Sequence, residues 1–223
     1  MLGCLANNLQ MHLLFDLDGT LTDSRTGIVR CYQHALSELG REIPRDSEFT
    51  PYVGPPLATC FAGLLKTDDS TTIERAIEIY RKRFERLGIF ENVLYPGIGE
   101  ALGALSGAAH TLYVVTAKPV AYASRILESF AIGKFFRAVY GPDLADRRFS
   151  KGSLVRTALK VNEITCQSAF VVGDRADDID GAQENGIRSI GVTWGYGSRE
   201  ELAGANALVD SAAELVEYIR RGA

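Results

Sequence analysis

Two aspartates stand two residues apart, Asp16 and Asp18 in DLDGT, directly after a short apolar run; a second pair, Asp174 and Asp178 in GDRADD, follows another. Thr116 closes a third such run, and Lys151 comes immediately after Ser150 at the start of a helical pattern. Carboxylates about 4 Å apart repel by about 4 kcal/mol at an effective dielectric near 20, so gathering several would drive protons back onto them unless a cation intervened. All-oxygen ligands with room for water suit Mg²⁺ better than zinc. An oxygen nucleophile, a hydroxyl and cations facing the equatorial oxygens are what phosphoryl transfer needs, and Lys151 could supply positive charge for a phosphoryl group.

These groups act together only if the chain brings them to one place. Short apolar, β-branched runs recur at 11–16, 111–117, 137–141, 168–174, 188–194 and 207–210. They read as strands buried on both faces. Helical patterns fall between them at 98–105, 119–130, 151–161, 177–185 and 212–220. Pro119 suits a first helical turn, Ser150 an N-cap, and Gly133 and Gly186 positions just past helix ends. Alternation of this kind predicts an α/β fold with a doubly wound parallel sheet, whose ligands sit outside the carboxyl ends of the strands. Asp16, Thr116 and Asp174 all lie at such ends.

From Ser24 to about Asn92 no strand pattern appears, and apolar residues follow helical spacing. Ile28, Tyr32, Ala35, Leu36 and Leu39 form one stripe; Ile73, Ala76, Ile77, Tyr80, Phe84 and Leu87 form another, opened by a capping-box arrangement of Thr71 with Glu74. Leu57, Phe61, Leu64 and Leu65 offer a third after the breaker Gly54-Pro55-Pro56. The expected organisation is therefore a discontinuous α/β core of residues 11–23 and 96–223, with an all-helical cap, 24–95, inserted after the first strand. Residues 1–10 read as a flexible extension, and Met11 as an alternative start.

DLDGTLTDS, VVTAKP, SKGSL and GDRADDIDGA, in that order, resemble the four motifs of the haloacid dehalogenase superfamily. The resemblance spans Met11 to the C-terminal region and implies a Rossmann-like core. It implies that Asp16 is the nucleophile, forming an aspartyl phosphate, and that Asp18 is the acid that protonates the leaving oxygen and the base that then activates water. Thr116 and the Ala117 amide would hold the phosphate and Lys151 would neutralise it. Mg²⁺ would bind Asp16, the backbone carbonyl of Asp18 and Asp174, with Asp178 supporting the metal shell or Lys151. An acid at position 18 favours phosphoryl chemistry over dehalogenation. The helical insertion, Gly54-Pro55-Pro56, the Ala117-Lys118-Pro119 step and the late WGYGSREEL are similar to a bacterial subgroup of phosphoglycolate phosphatases and 5'-nucleotidases. The expected substrate is a small phosphorylated metabolite, 2-phosphoglycolate first, with nucleoside monophosphates as the alternative.

Competing functions share parts of this pattern. A sugar phosphomutase would carry the same four motifs. A phospho-accepting signalling module needs neither an acid two residues after the acceptor nor a helical cap. In the cap, Lys66, Tyr80 and Arg83 could reach a substrate, although packing and surface roles suit each better. Trp194 and Tyr196 suit either a pocket wall or a loop anchor, and Arg175 suits a local salt bridge. Asp177 and Asp180 suit solvated charges at a helix start.

The whole chain excludes other classes. Its 24 basic and 28 acidic residues, a formal charge of −4, contain no basic run that would follow a nucleic-acid backbone. No stretch approaches the roughly 18 apolar residues of a membrane helix, and no signal-peptide pattern opens the chain. Cys4, Cys31, Cys60 and Cys166 are scattered without a Cys-x-x-Cys pair, as are the histidines, so zinc has no home and free thiols are expected. A cytoplasmic protein is the expectation.

Overall fold

A computed structural model describes residues 10–144 and 149–222. Residues 1–9, most of the expected extension, lie outside that range.

The six apolar runs form six parallel strands: β1 (His12–Phe15), β4 (Thr111–Val115), β5 (Phe136–Tyr140), β6 (Ala169–Gly173), β7 (Arg188–Val192) and β8 (Ala207–Val209). Two shorter strands, β2 (Thr22–Asp23) and β3 (Val93–Leu94), pair separately. The main sheet has the order β5-β4-β1-β6-β7-β8. β1 lies between β4 and β6, where successive crossovers turn from one edge of the sheet to the other, and that is where an open α/β sheet has its ligand crevice. Phe15 pairs with Val114 on one side and Val172 on the other. The chain positions one or two residues further on, Asp16, Thr116 and Asp174, therefore leave the sheet at one edge.

Burial explains why these runs are strands. Leu13, Leu14, Val114, Phe170 and Val172 are wholly enclosed, and helices supply the cover: α4 (Ile98–Gly107), α5 (Val120–Ser129), α6 (Lys151–Val161), α7 (Ala176–Gln183) and α8 (Ala212–Arg220). One core cluster joins Leu14, Tyr113 and Val171 of the sheet to Val155 and Ala158 of α6 and Ala182 of α7. Ser150 caps α6, its hydroxyl accepting from the Ser153 N–H at 3.1 Å. Pro119 precedes α5 as its N-cap rather than sitting within the first turn. Beyond α5 the left-handed residue is Ala131 (φ 54°), while Gly133 begins a short 3-10 turn; Gly186 (φ 64°) does follow α7.

The described chain divides into two compact units: residues through Thr22 together with those from Leu94 onward, and Asp23–Val93. The second is built on α1 (Arg25–Glu38), α2 (Leu57–Leu65) and α3 (Ser70–Arg83), with a 3-10 segment at Asp46–Tyr52. Its core is aromatic: Tyr32 packs against Phe49, Phe61 and Tyr80, with ring centroids 5.0–6.0 Å apart. Two details differ from the sequence pattern. α3 is capped by Asp69, whose carboxylate accepts from Thr72 N at 2.9 Å, so Thr71 and Glu74 lie inside the helix rather than framing it. After Arg83 the helix widens into a π turn at Phe84–Gly88, with Ile89 N donating to Phe84 O at 3.0 Å. The extra residue in that turn rotates Leu87 off the buried stripe, leaving it 55% exposed. No described helix is long and apolar enough to cross a membrane, and Cys31, Cys60 and Cys166 are free thiols.

Candidate active site

Asp16 is the first residue beyond β1, held in register by its N–H donating to Val172 O at 2.9 Å. The chain then turns sharply: Leu21 N and Thr22 N both donate to Leu17 O, and Gly19 N to Thr22 O. Gly19 sits in this turn at φ 89°, and a Cβ there would collide with the Asp174 carboxylate. Both its backbone conformation and its surroundings therefore require glycine.

Lys151 Nζ donates to Asp16 Oδ1 at 2.6 Å and to Val115 O at 3.1 Å, and forms an ion pair with Asp178 Oδ1 at 2.7 Å. One ammonium thus faces two carboxylates, while Asp16, Asp174 and Asp178 offer oxygens that all lie within 4.8 Å of one another. Asp178 Oδ2 also accepts from Arg175 N at 3.2 Å. Thr116 is buried, its N–H bonded to Tyr140 O and its hydroxyl accepting from Lys118 N at 3.1 Å; Ala117 beside it is exposed. Asp18 Oδ2 lies 2.8 Å from Lys118 Nζ.

The electrostatics follow from this crowding. Burial, reinforced by Asp178 and Asp174 and opposed by Lys151, raises the Asp16 pKa to about 7. Burial and the neighbouring Asp178 raise Asp174 to about 6, against the bonds from Tyr196 N and Thr20. Burial disfavours the Lys151 ammonium, but Asp16 and Asp178 outweigh it, and its pKa rises above the ordinary lysine value. The cluster is short of positive charge. All-oxygen donors at this spacing with raised carboxylate pKa values fit a hard divalent cation.

The sequence suits Trp194 and Tyr196 to a pocket wall or to a loop anchor, and the loop after β7 uses them as anchors. Tyr196 N donates to Asp174 Oδ2 at 2.8 Å, Thr20 Oγ1 donates to Asp174 Oδ1 at 3.0 Å, and Trp194 Nε1 donates to Thr20 O at 3.0 Å. Gly195, between the two aromatics, permits a backbone approach that a Cβ would block by striking Asp174 and Gly19 O. This loop therefore anchors both Asp174 and the turn after β1. The glycines flanking Tyr196 were the signal in the sequence. The Arg175 guanidinium makes a local ion pair with Glu201, 2.9 Å, and the residue meets the clustered carboxylates through its backbone N–H on Asp178.

In the helical unit, Tyr80 is part of the aromatic core, and Arg83 grips Glu91 with two hydrogen bonds of 2.7 and 3.0 Å and reaches Cys31 Sγ at 3.3 Å. Lys66 closes α2 in the left-handed conformation and is exposed.

Residues 13–192 match the family model for haloacid dehalogenase-like hydrolases. The chain is 42% identical to a 5'-nucleotidase of Pseudomonas aeruginosa over 86% of each chain. It is 35% identical to the tyrosine-protein kinase PtkA of Mycobacterium tuberculosis, over 93% of this chain and 70% of that one. It is 30% identical to a phosphoglycolate phosphatase of Salmonella typhimurium, over 85% and 83%. A crystal structure of a predicted phosphatase from Clostridium acetobutylicum superposes with a TM-score of 0.87 at 39% identity, covering 95% of this chain and 98% of that one.

Proposed function

The chain belongs to the haloacid dehalogenase-like hydrolases and is a phosphatase; from that premise we propose that it cleaves a small phosphorylated metabolite through a phosphorylated Asp16, in a Mg²⁺-dependent reaction. The observation that carries this reading is the buried cluster in which Lys151 lies 2.6 Å from Asp16 while three carboxylates share the space around it. An ammonium at that distance favours the ionised form of Asp16 against the burial that opposes it and stands ready to face the phosphoryl oxygens.

In the first step an Asp16 carboxylate oxygen attacks phosphorus, the bond to the leaving oxygen breaks, and Asp18 gives that oxygen a proton. In the second, Asp18 takes a proton from water as the water oxygen bonds to phosphorus, and the bond to Asp16 breaks to free phosphate and the carboxylate. The Thr116 hydroxyl and the Ala117 amide hold the phosphoryl oxygens in line, and Lys151 balances their charge. Asp16, the Asp18 carbonyl and Asp174 would hold the ion, with Asp178 steering Lys151. Bound there, Mg²⁺ would supply the positive charge this cluster lacks against the phosphoryl oxygens.

The helical unit is the cap in this proposal, and it selects the substrate. A nucleoside 5'-monophosphate is the first candidate, supported by the 42% identical relative called a 5'-nucleotidase; 2-phosphoglycolate, supported by the 30% identical relative, is the second. Phosphate release from both, from sugar phosphates and from 4-nitrophenyl phosphate, with Mg²⁺ and with excess chelator, tests the proposal. Metal-dependent release that favours a nucleotide is expected. Release unaffected by chelator would overturn the metal assignment, and a requirement for a bisphosphate activator would indicate a mutase instead.

A further inference from the structure

One ion pair near the site has no part in the reaction as derived. Lys118 Nζ lies 2.8 Å from Asp18 Oδ2, and the two side chains are only 7% and 21% exposed. Lys118 leaves β4 two residues after Thr116, with its N–H bonded to the Thr116 hydroxyl, so its backbone is tied to a group assigned to the phosphate. The other oxygen of Asp18, Oδ1, is buried and has no hydrogen-bond partner among the described residues.

The turn after β1 fixes the Asp18 backbone through the bonds of Gly19, Leu21 and Thr22, but a backbone turn leaves the side-chain torsions of an aspartate free. The ion pair removes that freedom. With Oδ2 held by an ammonium, the carboxylate keeps one oxygen, Oδ1, for proton exchange, and a buried oxygen without a partner is costly unless a ligand or water supplies one. We propose that Lys118 is a positioning residue for the acid-base chemistry of Asp18: it clamps Oδ2 so that Oδ1 is presented to the leaving oxygen and then to water. The inference rests on the acid-base assignment of Asp18 above.

A clamp of this kind matters most where the leaving group needs a proton. 4-Nitrophenolate departs unprotonated, whereas an alkoxide does not. The ratio kcat/KM reports the steps through departure of the leaving group, so it isolates the acid role. Lys118→Met, Lys118→Arg and Asp18→Asn, each assayed on 4-nitrophenyl phosphate and on the alkyl phosphomonoester that wild type hydrolyses best, provide the test. For Lys118→Met, kcat/KM on the alkyl ester is expected to fall about tenfold or more and on the aryl ester less than about threefold, with Lys118→Arg recovering most of the loss. Lys118→Gln repeats the measurement if the methionine variant does not fold. Equal losses on both esters, or none, would overturn the clamp. Asp18→Asn separates the two levels. A flat leaving-group profile there removes the acid role itself and this inference with it. A steep profile for Asp18→Asn beside a flat one for Lys118→Met removes the inference alone.

Discussion

Each unit of this protein carries an ion-pair network, and the two networks are balanced oppositely. At the carboxyl edge of the sheet, Lys151 serves Asp16 and Asp178 with Asp174 close by. In the helical unit, two guanidiniums, Arg83 and Arg30, serve the single carboxylate Glu91. The first network has more acid than base, and burial pushes Asp16 and Asp174 up to about 7 and about 6. In the second, hydrogen bonds from Arg83, then Arg30, pull Glu91 below its ordinary value despite burial. A network that satisfies itself is structural; one left short of positive charge is arranged for something that brings it. The difference in charge balance, together with the deeper burial of the first network, identifies the site.

The largest expected break in this contrast is Asp16→Asn. It removes the proposed nucleophile without changing shape, and turnover should fall by more than about 10³-fold in a steady-state phosphate assay; substantial residual activity would place the nucleophile elsewhere. Next comes Gly195→Ala, whose Cβ would strike Asp174 and Gly19 O. Displacing Asp174, a proposed metal ligand, should weaken Mg²⁺ activation by about 10–100-fold. A titration of activity against Mg²⁺ would show this, and an unchanged midpoint would refute the role given to the loop.

Arg83→Met tests the other network. It should lower stability by about 1–3 kcal/mol in urea unfolding, the usual effect of stripping a charge-assisted partner from a mostly withdrawn group, with kcat essentially unchanged. A large loss of kcat with intact stability would move Arg83 from structure to substrate.

The smallest effect separates the networks by sign. The raised Asp16 and Asp174 favour the folded, protonated form, so their contribution is fully present below the ordinary aspartate value of 3.8 and is lost as pH rises through about 6 and about 7. Glu91, held low, contributes above the ordinary glutamate value of 4.5 and loses that contribution as pH falls through its folded value. Chelated protein should therefore melt at lower temperature at pH 8 than at pH 5.5, and Mg²⁺ should reduce the difference. Arg83→Met should flatten only the acid side. A melting profile whose alkaline slope ignores Mg²⁺ would separate the ion from these carboxylates.

Local pattern carried much of the architecture. The strands and α6 lie where burial and capping residues place them, because a doubly buried strand and an N-cap serine are read from neighbours a few residues apart. Where two local signals competed, the stronger prevailed: the Asp69 carboxylate starts α3 in place of Thr71, and a π turn, which no hydrophobic period announces, exposes Leu87. The sequence by itself determined that a parallel sheet would carry Asp16, Thr116 and Asp174 at strand ends, with Lys151 opening a helix, since side-chain type and period are properties of short segments. Only the tertiary structure decided that Thr20 and Tyr196 would hold Asp174 from positions 154 and 22 residues away, and that Lys118 would turn to Asp18. Those contacts depend on strand order and on loops meeting across the sheet edge, and no local period encodes which distant groups will share that space.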